Sequence, residues 1–316
     1  MTTGYTSTTQ VDPAVAIFYD RVLLKRALPY LHYNKFAQVR NIGKKSGNTV
    51  KWRRYTALAA ATVPLTEGVT PPGQQGAKTD ILAQISWYGD WMGVSDVIDL
   101  TVEDRVITEF TELLGEQMGL TLDQLTRDIL CATASYTNAS KGANGYTPTE
   151  LTRADIDAVV KTLLGANASF ITEVQKASTG IGTSPVRASF WSIIHTDLID
   201  DLEACSGFKS VAEYPKGDAI EGEWGNVGNV RFLVSSVAHK VAGTPQAYNY
   251  YCLVLGKNAY GTSEIKGGSA KSIVHDFGSG GTGDPLNQRA TVGWKTPFVA
   301  RILNDALMNN LRVTHS

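Results

Sequence analysis

From Ile107 to Ile129 the apolar residues Ile107, Phe110, Leu114, Met118, Leu122, Leu125 and Ile129 recur at intervals of three and four. That spacing keeps one helical face apolar for about six turns and fits no strand. Thr101-Val-Glu-Asp104, just ahead of it, resembles a capping box, and Glu103 and Asp104 would sit at the positive end of the helix dipole. A helix begun at Thr101 would be a rod of roughly 45 Å. Few globular domains contain a helix of that length. Gly115 and Gly119 fall within it, each unfavourable by about 1 kcal/mol relative to Ala. The close approach of another backbone is a reason to keep them. Glu112, Glu116 and Gln117 surround them, which removes a membrane-dimer reading of the spacing.

The remaining chain mixes helix and strand, giving an α+β fold. Asp12-Pro13 reads as a helix start, with the helix running to about Ala27 before Pro29, behind a polar arm. Thr49 to Tyr55 and Ile81 to Val94 read as extended runs. Between them Ala57 to Ala77 is rich in Ala, Pro and Gly, with Glu67 its only charge. Such a loop cannot form a core of its own. It makes sense as the tip of a projecting hairpin that a neighbouring subunit covers. Tyr136 to Thr147 reads as loop. A helix capped by Thr152 follows, with Ile156, Val159, Val160, Leu163 and Leu164 on one face and Gly165 as its stop. Val186–Ile194, Val230–Ser236, Tyr250–Leu255, Thr291–Trp294 and Phe298–Leu303 read as strands, and Thr196 to about Ala204 as a helix.

Composition restricts the function. With 29 Lys plus Arg against 30 Asp plus Glu, the net charge of −1 gives no global pull toward nucleic acid. Cys131, Cys205 and Cys252 lack metal or redox spacing and read as reduced, buried thiols. The first ten residues have neither the basic start nor the apolar core of a secretion signal. No apolar run approaches the roughly 20 residues of a membrane helix.

Four constellations invite chemistry, and the sequence weakens each. Asp276-Phe-Gly278 opens a glycine-rich run, but no catalytic-loop or phosphate-loop motif accompanies it. His195 with Asp197, Asp200 and Asp201 has the ligand types for a metal, yet a strand end, a Thr cap and acidic residues in a first helical turn account for them. The five histidines show no partner spacing and no nucleophile elbow is present. Lys44, Lys45, Lys51, Arg53 and Arg54 with Trp52 and Tyr55 resemble a strip for nucleic acid. Strand alternation divides that strip, with Lys51, Arg53 and Tyr55 facing one way and Trp52 and Arg54 the other. No catalytic residue, cofactor or metal is therefore expected.

Five stretches, in order, carry a resemblance. They are Tyr55 with Pro64-Leu-Thr-Glu-Gly-Val-Thr-Pro71, Leu114-Gly-Glu-Gln117, Gly222-Glu-Trp-Gly225, Leu255-Gly-Lys-Asn-Ala-Tyr260 and Asp284-Pro-Leu-Asn-Gln-Arg-Ala-Thr-Val-Gly-Trp-Lys295. Together they resemble the major capsid proteins of tailed bacteriophages, in the phage N4-type branch of the Hong Kong 97 fold. The resemblance spans roughly residues 20 to 303. It implies an N-terminal arm and helix (1–43), an E-loop hairpin (44–95) and a peripheral domain with a spine helix (96–180). An axial domain (181–283) and return strands of the peripheral domain (284–316) would follow. The implied function is self-assembly, as pentamers and hexamers, into the icosahedral shell around a double-stranded DNA genome. The shell would form in the host cytoplasm, its partners would be portal, scaffolding and decoration proteins, and its DNA contacts would be non-specific. Lys51, Arg53, Arg54 and Glu67 are the candidate inter-subunit contacts. The alternatives are an encapsulin-like nanocompartment shell, an oligomeric cytosolic enzyme, and a nucleic-acid-binding module.

Overall fold

A computed structural model describes residues 23, 31–42, 47–65, 67–97, 106–176, 182–214, 219–243, 248–265, 271–280 and 284–315. The helix expected over 12–27 and the capping box at 101–104 lie outside the described residues, except for Leu23, which is helical and fully buried. Apart from the single helical residue Leu23, the α-helices among the described residues are α1 (Val106–Cys131), α2 (Arg153–Gly165) and α3 (Ile199–Ala204). The strands run in chain order as β1 (Gln38–Ile42), β2 (Thr49–Tyr55), β3 (Lys78–Gln84), β4 (Ser86–Ser95), β5 (Tyr136–Asn138), β6 (Ile171–Lys176), β7 (Gly182–His195) and β8 (Phe208–Ser210). They continue as β9 (Glu223–Val227), β10 (Val230–Ser235), β11 (Lys240–Ala242), β12 (Tyr248–Leu255), β13 (Tyr260–Ile265), β14 (Lys271–His275), β15 (Arg289–Ile302) and β16 (Met308–Thr314).

The long helix is present, at 26 residues or roughly 39 Å. Its buried face differs from the one the apolar spacing predicts. Leu114 and Met118 are fully buried, but Ile107, Phe110, Leu122, Leu125 and Ile129 are only half-buried. The fully buried face passes through Thr111, Leu114, Gly115, Met118, Gly119, Asp123, Thr126 and Leu130. Small and polar residues complete it, with backbone approaching Gly115 and Asp123 and the Asn34 side chain meeting Thr126. A Cβ on Gly115 would meet the Leu23 carbonyl oxygen at 2.5 Å, so only glycine admits that crossing. Farther along, Thr126 Oγ1 donates to Asn34 Oδ1 at 2.8 Å, and Asp123 Oδ1 accepts from the Tyr33 backbone N–H at 2.7 Å.

Asp123 thus ties the turn at residues 32–36 to the middle of α1. Burial raises its pKa to about 7, against the opposing backbone N–H groups of Tyr33 and His32 and the charges of Lys35 and Arg127. A carboxyl raised this way favours folding in its neutral form. Its stabilisation is complete below the ordinary aspartate pKa and is lost as pH rises through about 7. Asp123→Asn keeps an acceptor oxygen and removes the charge. The variant should unfold with a flatter pH profile and be more stable than wild type at pH 8, by about 2 kcal/mol. Denaturant melts at pH 5 and pH 8 check this, and parallel profiles for the two proteins would contradict it.

One sheet has the order β1-β13-β15-β14, with β4 also pairing β15. The run read as a single strand over Ile81–Val94 is two strands, β3 and β4, divided at buried Ile85. Conversely, Thr291–Trp294 and Phe298–Leu303 belong to the one strand β15. Pro297 lies between the part of β15 paired with β14, Thr291 to Lys295, and the part paired with β13, Val299 to Ile302. A residue without an N–H is tolerated at such a gap. On the face toward α1, Val292 and Trp294 of β15 and Tyr88 and Met92 of β4 pack with Leu114 and Met118.

The larger sheet runs β5-β16-β12-β7-β10-β9-β8, with β11 on β12 and β6 on β7. Both faces are covered, which explains why adjacent residues of β7 are apolar at Phe190–Trp191 and at Ile193–Ile194, with buried Ser192 between the pairs. Phe190 and Ile194 face Ile156, Val159 and Leu163 of α2, while Trp191 and Ile193 face Tyr33, Phe36 and Leu130. Two of its strands escape sequence reading. β5 lies in the stretch read as loop, pairing parallel to the C-terminal β16, and β16 itself has Asn309 and Asn310 buried in mid-strand. The expected boundaries at 181 and 283 do not follow this sheet, since β5, β6 and β16 lie outside them.

The start of α2 is as expected: Thr152 and Asp155 form a capping box. Its end differs. Asn167, at φ +56°, takes the left-handed position expected of Gly165. Ala168 N–H donates to Leu163 O and Asn167 N–H to Leu164 O, both at 2.9 Å, a Schellman closure with Asn outside the helix. Leu164 is exposed rather than on the packed face.

Candidate assembly surface

β2 and β3 form a separate two-stranded hairpin, paired from Thr49↔Gln84 to Tyr55↔Lys78. Alternation divides its cations as the sequence predicts. Val50 and Trp52 are buried against Ile85 and Leu303. Lys51 and Arg53 share the opposite face, and both reach Asp80 on β3, at 2.7 and 2.9 Å. Hydrogen bonds from Lys51 and then Arg53 hold the Asp80 carboxyl down to about 2. Arg54 lies on the other face, with Nη1 donating to Leu303 O at 3.4 Å. Lys51, Arg53 and Arg54 are therefore engaged within their own subunit, while Lys44 and Lys45 lie outside the described residues. Glu67 is exposed at the far end, and the hairpin does not bring it to these cations.

Beyond Tyr55 the chain makes a 22-residue loop, 56–77, whose described residues are all exposed. Val63 is 81% and Leu65 78% exposed, with Leu58 and Val69 also bare. Isolated apolar residues on a surface need no explanation, but a cluster at one tip marks a contact surface. Pro64, Pro71 and Pro72 stiffen the loop and lower the entropy lost when it docks.

The other stretches singled out in the sequence are internal packing devices. Gln117 of the Leu114–Gln117 stretch accepts from Trp294 Nε1 at 3.2 Å and donates to Asp90 Oδ2 at 2.6 Å, tying α1 to β15 and β4. At the start of the last stretch, Asp284 closes a turn by accepting from Arg289 N–H at 2.8 Å. A Cβ on Gly225 would lie 2.5 Å from Lys209 O. Glu223, beside it, forms a buried pair with Arg231, at 2.6 Å from Oε1 to Nε and 2.5 Å from Oε2 to Nη2. Tyr260 is buried with its hydroxyl donating to Tyr33 O.

These residues join the turn at 32–36, the long helix and both sheets into one framework from which the hairpin projects. Solved structures share that framework. The chain aligns with the capsid of Ralstonia phage GP4 at a TM-score of 0.66 and 11% identity, covering 90% of this chain and 88% of that one. It aligns with the capsid of cyanophage Pam1 at 0.63 and 13%, over 92% and 93%. For the capsid of cyanophage P-SCSP1u the values are 0.59 and 14%, over 90% and 89%. The chain has the Hong Kong 97-type capsid fold. No protein-family model and no curated protein matches its sequence. Within this fold α1 is the spine helix and the β2–β3 hairpin the E-loop.

The constellations tested for chemistry have structural partners. His195, rather than Thr196, caps the turn that leads into α3, its Nδ1 accepting from Asp197 N–H at 3.1 Å. Asp197 accepts from Tyr250 Oη at 2.9 Å and Lys240 at 3.3 Å, and Asp201 meets His315 Nδ1 at 2.9 Å. Asp276 caps a turn through Phe277 N–H at 2.8 Å and Ser279 N–H at 3.1 Å. All three cysteines are free and buried, and burial raises each thiol's pKa. Among the described residues no group of three His, Cys, Asp or Glu side chains is placed to hold a metal, and no helix is long and apolar enough to cross a membrane. Sequence reasoning missed Trp87 and Trp91, two exposed tryptophans on β4, although their period-two spacing with Gly89 and Gly93 was legible.

Proposed function

We propose that this chain is the major capsid protein of a tailed, double-stranded DNA phage, of the N4-type branch, and that its activity is assembly rather than catalysis. The observation that carries the reading is the E-loop tip. A framework with a well-filled core ends in 22 residues that add nothing to that core and expose apolar side chains. The loop acquires a role when a neighbouring copy covers it. Many modest identical contacts then close a shell of pentamers and hexamers. Lys51, Arg53, Arg54 and Glu67 are the proposed contacts between copies. Lys51 and Arg53 would act from the pair they make with Asp80, which fixes their positions. We assign the nine-stranded sheet with α2 and α3 to the axial domain, and α1 with the smaller sheet to the peripheral domain. Portal, scaffolding and decoration proteins are the other partners of such a shell in the host cytoplasm, and packaged DNA is met without sequence recognition.

Sedimentation of the purified chain through a sucrose gradient tests this reading. Fast-sedimenting closed particles are expected, while small discrete oligomers would favour an enzyme. The same particles, boiled in detergent and reductant, should run as a single band at the chain mass of 34.1 kDa. A ladder of covalent oligomers would contradict assembly without chemistry.

A further inference from the structure

The turn at 32–36 is held from three sides. Phe36 stacks on Trp191 of β7 with ring centres 4.9 Å apart, and the Tyr260 hydroxyl of β13 donates to Tyr33 O. Asp123 and Thr126 tie the turn to α1 through the Tyr33 N–H and Asn34. The third contact is with the segment ahead of β9. Lys35 Nζ donates to Glu221 O at 2.7 Å, and the His32 ring covers Gly222, where a Cβ would lie 3.0 Å from His32 Cε1. That segment also closes on itself, with Glu223 N–H donating to Ile220 O at 3.0 Å and Ile220 N–H to Glu223 Oε2 at 3.1 Å.

At the α1 side of this joint Asp123 Oδ2 is buried without a hydrogen-bond partner. A buried carboxyl tolerates that far better neutral than ionised. Two cations lie near enough to feel its charge, Lys35 and Arg127. Arg127 is committed, its Nη1 donating to Val237 O at 2.6 Å and its Nη2 2.7 Å from Asp128. Lys35 is held by one backbone carbonyl and attracted by the exposed Glu221 carboxylate and by Asp123. The remaining titratable groups of the joint stay neutral near pH 7. Burial lowers His32 to about 4, pushes the Cys131 thiol up to about 12 and raises the Tyr33 and Tyr260 phenols.

We propose that Lys35 is a proton-controlled clasp: it holds the segment 219–223 through Glu221 O while Asp123 is neutral, and turns to Asp123 Oδ2 when that carboxyl ionises, releasing the segment. The exchange replaces a hydrogen bond to a carbonyl by an ion pair in a poorly solvated interior, where attraction is strongest. The proton lost by Asp123 passes to water, and no covalent bond changes. Burial places the changeover near pH 7. Below it the turn joins α1 to the larger sheet through Lys35, and above it Lys35 braces α1 alone. The clasp is a property of the folded chain and goes beyond the proposed function without depending on it.

Amide hydrogen exchange of the purified chain tests the clasp. After correction for intrinsic rates, the peptide covering 219–223 should exchange about tenfold faster at pH 8 than at pH 6, as its local closure is lost. Asp123→Asn should hold the segment at the slow rate at both pH values. Lys35→Gln removes the charge that answers Asp123, so its segment should exchange at one rate at both pH values, and Lys35→Arg should restore the step. Circular dichroism at pH 6 should match wild type for each variant, and the Lys35 variants decide the matter even where Asp123→Asn does not fold. Equal exchange in the wild type at both pH values would overturn the clasp. So would a step that persists in Asp123→Asn or in Lys35→Gln, since a purely structural role for Lys35 leaves the pH response in place. Shell formation enters none of these outcomes, so the clasp can fail while the proposed function stands.

Discussion

Glu223→Ala is expected to destabilise the folded subunit by about 3 to 5 kcal/mol. Glu223 and Arg231 have side chains 0% and 2% exposed, joined by two short hydrogen bonds. Glu223 Oε2 also accepts from Ile220 N–H at 3.1 Å. The Arg231 guanidinium lies 4.4 Å from the Trp191 ring centre and 5.5 Å from that of Tyr214. Removing the carboxylate takes away the bidentate acceptor of a cation buried in the larger sheet, and aromatic faces compensate only in part. The pair itself need not add net stability, because burying two ions offsets much of their attraction. Glu223→Ala combined with Arg231→Met should therefore recover part of the loss. Urea unfolding of the single and double variants measures both effects. A single variant within 1 kcal/mol of wild type would show that the pair does not organise the sheet.

Shortening the E-loop should have the opposite signature, with a large effect on assembly and almost none on folding. Replacing residues 57–76 with Asn-Gly would join β2 and β3 by a tight turn suited to their antiparallel pairing. The deleted residues are exposed wherever they are described, and the hydrogen bond from Gln74 Nε2 to Ala59 O disappears with both its partners. The unfolding midpoint should stay close to that of wild type, because a shorter loop also lowers closure entropy. Particle yield should fall by at least tenfold, since every contact made by the tip is lost from every copy. Full yield from the shortened chain would show that the loop does not hold subunits together.

Much of the framework was legible because its signals are local. The 3-4 spacing of α1, the Thr152 box of α2 and the apolar-rich segment Phe190–Ile194 are each written in a few adjacent residues. The facing surface was not legible. Gly115 and Asp123 belong to the buried face of α1 because a carbonyl and an N–H from distant residues approach them. No window of sequence around α1 contains Leu23 or Tyr33. β16 was missed for a similar reason, its buried Asn309 and Asn310 breaking the apolar pattern of a central strand. Alternation correctly divided the cations of β2, but the partner Asp80 lies on the other strand of the hairpin, and only the register brings it between Lys51 and Arg53. The tip remained legible as a contact surface, because its composition alone forbids a core. Trp87 and Trp91 were written at period two in β4, but only the register sets Gly293, about two hundred residues away, opposite Trp91.

The most direct measurement is an electron cryomicroscopy reconstruction of particles formed by the purified wild-type chain. The account predicts a closed icosahedral shell of this subunit, with the 56–77 loop of each copy resting on its neighbour. Dispersed monomers or small closed oligomers, with that loop folded onto its own subunit, would contradict it.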